Sequence, residues 1–171
     1  MEIVKIIVII VLAGLTILLL ARERARQIER EELAKKNMSF MESLNLTGLP
    51  IVTFSNNGKM LNFVLDTGSN VCIVNSEVLT GLDYETVNKH TGIVGVSGDT
   101  NEEGEVVCLL VSYKGRTYEV ECYSSNMSDA VNSIKKEYGV TIHGILGTGF
   151  FTTYKYILDF NELVAYSLKK P

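Results

Sequence analysis

Phe63-Val64-Leu65-Asp66-Thr67-Gly68-Ser69-Asn70 reads as an apolar strand running into a carboxylate on a glycine-containing turn, with a second apolar strand, Val71-Cys72-Ile73-Val74, directly behind it. A strand carries an acid to a fixed height, Gly68 permits torsions closed to other residues, and Thr67 and Ser69 bring short hydroxyls that can hold the carboxylate. That arrangement suits a rigid catalytic acid. Taken alone, Asp-Thr-Gly-Ser is also four common turn residues, and a polar β-turn between two core strands would use the same letters.

A second fragment far downstream separates the two readings. His143-Gly144-Ile145-Leu146-Gly147-Thr148-Gly149-Phe150-Phe151 is followed by Tyr156-Ile157-Leu158-Asp159-Phe160. Together the fragments resemble retropepsin-like aspartic proteases, in which a strand ends in Asp-Thr-Gly-Ser or Asp-Thr-Gly-Ala and a later apolar-apolar-Gly segment packs behind that loop. The resemblance runs from Leu49 to Leu168. It implies a mainly β fold, a retropepsin-like acid-protease β-barrel with one or two short helices. It further implies that Asp66 is the catalytic acid/base, that Thr67 braces paired loops across a dimer axis, that Gly68 allows the turn and that Ser69 hydrogen-bonds the carboxylate. Ile145, Leu146 and Gly147 would support the loop. The family's glycine-rich flap over the substrate matches, in chain order, Gly95, Val96, Ser97 and Gly98. A plain glycine-punctuated hairpin remains the alternative for that segment, and the lack of a Gly-Lys-Ser/Thr ending excludes a phosphate loop.

Amide hydrolysis by carboxylates needs two of them sharing a proton, because two held about 3 Å apart cannot both ionise. Asp83, Asp99, Asp129 and Asp159 all lack the Asp-Thr/Ser-Gly arrangement. The second acid must then come from Asp66 of another copy, so the expected enzyme is a homodimeric aspartic endopeptidase acting on peptides or proteins. The alternative is a non-catalytic peptide-binding or assembly module on the same fold. No organic cofactor is implied. His90 and His143 stand far apart and no Cys-x-x-Cys occurs, so no metal site is expected. Cys72 follows the turn closely, yet it has no histidine near it in sequence, and a thiol nucleophile is not expected.

The rest of the 171-residue chain, 46% hydrophobic with net charge −4, holds one domain of ordinary size and carries no bulk basic signal for nucleic acid. Residues 1–21 read as a transmembrane anchor: Ile6 to Ala21 is apolar or small throughout, and starting from Ile3 the stretch nears the roughly 20 residues a spanning helix needs. Residues 22–48 read as a charged helical stalk and linker, with Glu31–Lys35 and Glu32–Lys36 in the favourable i,i+4 order and Asn37 to Gly48 as the polar linker. The protease-like domain would occupy 49–171. Lys5 stands before the span against Arg22, Arg24, Arg26, Arg30, Lys35 and Lys36 after it, which predicts a single-pass protein with a cytoplasmic domain. Three cysteines, an odd number, fit free thiols.

Within the domain, Asn57-Gly58 predicts a hairpin joining Ile51 to Phe54 with Met60 to Leu65, setting Phe54 opposite Leu61 and Val52 opposite Phe63. Lys114-Gly115 predicts a second, with Val107, Leu109 and Val111 sharing a face with Tyr118, Val120 and Cys122 and leaving Cys108 on the other. A Cys108–Cys122 disulfide is thereby disfavoured. A short helix or turn capped by Ser76, a helix over Ser128 to Tyr138 stopped by Gly139, a short helix near Phe150 to Tyr154 and a closing hairpin turning at Asn161-Glu162 complete the expectation.

Overall fold

The computed structural model describes residues 5, 14–24, 38–87, 93–94, 100–101 and 105–168. It divides the chain into two compact units, Met1–Lys36 and Asn37–Pro171. In the first unit, residues 14–24 are helical and exposed. Much of the expected anchor and of the Arg22 to Lys36 stalk falls outside the described residues, and among those described no helix is long and apolar enough to cross a membrane.

The second unit is mainly β, with short helices. Its first element is a helix, α1 (Phe40–Thr47). The segment expected to be a polar linker is thus part of the folded unit, which begins at Asn37 rather than Leu49. Ser39 accepts the Glu42 N–H while the Glu42 side chain accepts from Ser39, a capping box, and Gly48 closes the helix at φ +70°. Phe40 enters the core, and the buried Ser43 hydroxyl accepts the Ile51 N–H at 2.9 Å, joining the helix to the first strand.

The strands are β1 (Ile51–Asn56), β2 (Lys59–Leu65), β3 (Cys72–Asn75), β4 (Tyr84–Val87), β5 (Ile93–Val94), β6 (Thr100–Asn101), β7 (Val106–Tyr113), β8 (Arg116–Ser125), β9 (Gly144–Leu146), β10 (Tyr156–Asp159) and β11 (Val164–Ser167). Two further helices, α2 (Ser128–Tyr138) and α3 (Thr148–Tyr154), bring the described helices of this unit to three where one or two were expected. The expected turn after β3 is a single 3-10 turn, Ser76–Val78, capped by Asn75 instead of Ser76.

The main sheet runs β1-β2-β9-β3-β8-β7, and pairing of β1 with β7 closes it into a six-stranded barrel; β4 adds to the free stretch of β7. Both expected registers form: Phe54 faces Leu61 and Val52 faces Phe63, while Val107, Leu109 and Val111 face Cys122, Val120 and Tyr118. At the closure, the buried Asn56 amide donates to the Asp83 and Leu110 carbonyls and accepts the Asp83 N–H, so β1, β7 and the approach to β4 are joined through one satisfied side chain.

Three central strands, β2, β9 and β3, are covered on both faces. Phe63, Leu65, Leu146, Cys72 and Val74 fill the barrel, while Val64, Ile145 and Ile73 pack outward in a second cluster beneath Val131, Ile134 and Tyr138 of α2. The unbroken Phe63-Val64-Leu65 run follows from this: a strand covered on both sides has no polar face to alternate with. The helix and its cover are legible in the stripe of apolar residues, and Gly139 ends it at φ +73° as expected.

Candidate active site

The loop carrying Asp66 is held from below by the segment Leu146-Gly147-Thr148. Asp66 donates its N–H to the Leu146 carbonyl at 3.0 Å as it leaves β2, and Thr148 donates to the Ser69 carbonyl at 2.8 Å as the loop returns. Ile145 and Leu146 enter this position because β9 lies between β2 and β3, parallel to the first and antiparallel to the second. Space there is so short that a Cβ on Gly147 would meet the Val71 and Ser69 carbonyl oxygens at 2.2 and 2.6 Å, and one on Gly144 would meet the Ile73 carbonyl at 2.4 Å. Glycine at both ends of β9 is a requirement of close backbone approach, not of unusual torsion.

The carboxylate itself is half-buried. Its Oδ1 accepts the Gly68 N–H at 2.8 Å, which fixes the side chain over its own turn, and a Cβ on Gly68 would come within 3.1 Å of that oxygen. Thr67 and Gly68 are exposed, and Thr67 has no hydrogen-bond partner among the described residues. Ser69 departs from expectation: its hydroxyl donates to the Val71 carbonyl at 2.8 Å rather than to the carboxylate, so within one chain it braces the backbone of the loop. Asp159 is engaged elsewhere, accepting the Asn161 and Glu162 N–H groups of its own turn at 2.9 Å.

The flap residues Gly95, Val96, Ser97 and Gly98 lie outside the described residues. On either side of them, Ile93 pairs with Asn101 and Val94 with Thr100, antiparallel.

Behind the loop, α3 is anchored by aromatic packing: Phe150 lies 5.1 to 5.4 Å, centroid to centroid, from Tyr118, Tyr154 and Tyr156. The Tyr154 hydroxyl donates to the Glu119 carbonyl at 2.6 Å, tying the end of the helix to β8. Burial pushes the Tyr156 hydroxyl far above its ordinary value, and that buried hydroxyl has no hydrogen-bond partner among the described residues.

Sequence reasoning missed a pair of residues at this site. Cys72 and Cys122 stand in register on the parallel strands β3 and β8, both buried and both free thiols. Half of the signal is local, since alternation puts Cys122 on the apolar face of β8, but the pairing of β3 with β8 spans fifty residues and no local pattern announces it. Beside the loop opens a cavity of about 420 Å³ lined by Asn70, Val71, Cys72, Glu119 and Tyr154 among others, and Asp66 does not line it. Among the described residues no group of His, Cys, Asp and Glu could hold a metal ion.

No family model matches the chain, and no curated protein matches it. Among solved structures, the chain is similar to EIAV protease complexed with the inhibitor HBY-793, with 23% sequence identity and a TM-score of 0.45 over 64% of this chain and 90% of that one.

Proposed function

We propose that this chain is a membrane-anchored aspartic endopeptidase whose catalytic dyad is made of Asp66 from each of two copies. The observation that carries the reading is the half-buried carboxylate at the end of β2, clamped through its N–H by Leu146 and through its Oδ1 by Gly68, with one carboxylate oxygen left for chemistry. A single acid cannot act as base toward water and acid toward the amide oxygen together. Two-fold pairing of the exposed Thr67-Gly68 turns would set the acids side by side, so that one proton is shared and both roles are filled. Thr67 would brace the paired loops, and Gly95, Val96, Ser97 and Gly98 would close over an extended peptide. Residues 3–21 would span the bilayer, and the six basic residues after the span against Lys5 before it would hold the domain in the cytoplasm. Confinement to one plane raises the effective concentration of subunits and favours the dimer.

The test is Asp66→Asn in the full-length chain. Asparagine keeps an oxygen for the Gly68 N–H, so the fold survives, while peptide cleavage falls by about 10²- to 10⁴-fold with the loss of the ionisable group. Mixing is the decisive form. Heterodimers of wild type and Asp66→Asn hold half a dyad, so excess variant suppresses wild-type cleavage; with independent sites each heterodimer would keep about half the activity of a wild-type dimer, and added variant would leave total wild-type cleavage unchanged. A folded Asp66→Asn protein that still cleaves overturns the proposal, and a wild type that binds peptides without cutting any assigns the chain to the binding class.

A further inference from the structure

We propose that Cys72 and Cys122 form an oxidisable thiol pair beneath the Asp66 loop, reached through the neighbouring cavity by a small disulfide of neutral or positive charge. The two residues are direct register partners on adjacent parallel strands, 6% and 0% exposed, inside the barrel. Paired strands lie about 4.8 Å apart, within the roughly 4.4–6.8 Å over which a disulfide joins two Cα atoms. Both side chains are buried in the same apolar cluster inside the barrel.

The pair is chemically asymmetric. The neighbouring Cys122 thiol, with smaller contributions from the Gly147 and Phe150 backbone, holds the Cys72 thiol below the ordinary value despite burial. Cys122 is pushed well above it by Cys72 and by burial. Cys72 also lines the 420 Å³ cavity, as Cys122 does not, and the wall carries Glu119, whose charge favours a cationic visitor over an anionic one. Cys108, on the outer face, is raised to about 11 by burial and by Glu119, which makes it an internal control of low reactivity.

Cys72 as thiolate attacks one sulfur of the incoming disulfide, forming a mixed disulfide and releasing one thiolate. Cys122, once deprotonated, then attacks the Cys72 sulfur and releases the second. Two protein thiols are oxidised by two electrons, one disulfide is reduced to two thiols, and the protons leaving the cysteines end on the released thiols. Val71, whose carbonyl is packed against Gly147, directly precedes Cys72, so a shift of Cys72 on forming the bond is felt at the Asp66 loop.

The experiment incubates the full-length protein with cystamine, blocks remaining thiols and maps tryptic peptides, which separate the three cysteines into residues 60–89, 90–114 and 117–135. The expected product joins 60–89 to 117–135 with Cys108 blocked as a free thiol, reverts with dithiothreitol, and forms more slowly with oxidised glutathione, which is anionic. In Cys122→Ala the reaction stops at a cysteamine adduct on Cys72. Hydrogen exchange at residues 144–150 becomes severalfold faster in the oxidised protein. Cystamine incorporation at Cys108 ahead of Cys72, or a Cys72 and Cys122 that stay reduced while the denatured chain oxidises, overturns the pair; unchanged exchange at 144–150 overturns its link to the loop. The wild-type map decides even if the variant fails to fold, and it reads sulfur chemistry alone, so it stands or falls independently of whether Asp66 cleaves peptides.

Discussion

The β7–β8 hairpin and the strand β9 occupy the same barrel and are built by opposite means. The hairpin is eight and ten residues of alternating inward and outward side chains around a two-residue turn, and everything that sets its register lies within one short stretch of chain. Strand β9 is three residues long, has almost no pattern of its own, and is placed by what surrounds it: Phe63 and Val64 on one side, Ile73 and Val74 on the other, α2 above, the barrel core beneath. The difference lies in where tolerance is located. A hairpin spreads its stabilisation over many side-chain pairs, whereas β9 concentrates its on the absence of side chains at Gly144 and Gly147.

The largest break in the comparison is therefore Gly147→Ala. The methyl would meet two backbone carbonyl oxygens, and neither is the end of a side chain that can swing away. A loss above about 3 kcal/mol is expected, read as a lowered urea midpoint, because overpacking against backbone has no cheap relaxation. The Asp66 loop rests on the same atoms, so exchange protection at the Asp66 and Thr148 amides should vanish with it. A Gly147→Ala variant of near wild-type stability would show that β9 can shift within the sheet.

A second probe acts on the same crossing through pH. His143 leads into β9, its Nδ1 accepting the Asn62 N–H at 2.9 Å and its backbone bridging Asn62 and Asn75. Burial holds the ring below the ordinary value of about 6.5. In the window between the folded and unfolded values the unfolded chain binds more protons, so stability is fully present above about 6.5 and is lost as pH falls toward the lower folded value. His143→Gln keeps an acceptor for Asn62 and removes the titration. The stability gap between pH 7.5 and pH 5 should be smaller in the variant than in wild type, by less than the Gly147 effect; parallel pH profiles would refute the assignment.

These two ways of building explain what could be read from the chain. The hairpin registers follow from Asn57-Gly58 and Lys114-Gly115 with alternating apolar residues, and they form as expected. The α2 stripe and its Gly139 stop are equally local. Strand β9 is placed in sequence only through the resemblance of Ile145-Leu146-Gly147 to a known motif, since three residues carry no periodicity. The α1 helix reads as linker although Ser39 and Glu42 spell a capping box, because its apolar face is short and its neighbours are polar. At the site, Ser69 and Val71 are too close in sequence for spacing to decide whether the hydroxyl turns to the carboxylate or to the backbone. The pairing of Cys72 with Cys122 depends on β3 meeting β8 in parallel, which no turn signal dictates.

On the hairpin side of the comparison, Gly115→Ala sets the scale. Gly115 sits at φ +73° with nothing near the position of an added Cβ, so the change costs only the left-handed backbone, about 1–2 kcal/mol. Gly147→Ala adds the same methyl at ordinary torsions and should cost more. If urea titration ranks Gly115 above Gly147, torsion rather than crowding governs this barrel.

The smallest effect separates the two hairpin turns from each other. Both place two successive residues at positive φ, Asn57 at 44° with Gly58 at 84°, and Lys114 at 47° with Gly115 at 73°. Asparagine tolerates that first position because its short polar side chain can bond locally, while lysine gains nothing from the turn itself. Lys114 has a partial offset: its ammonium lies 5.2 Å from the centre of the Tyr113 ring, worth about 0.5–1 kcal/mol at an exposed site. Lys114→Asn exchanges that contact for a better turn and should stabilise by a few tenths of a kcal/mol. Asn57→Lys makes the reverse change in the other turn and should cost about 1 kcal/mol. The two exchanges are chemically mirror images, so a symmetric gain and loss would mean that Tyr113 contributes nothing, and a Lys114→Asn that destabilises would mean that the ring contact outweighs the turn.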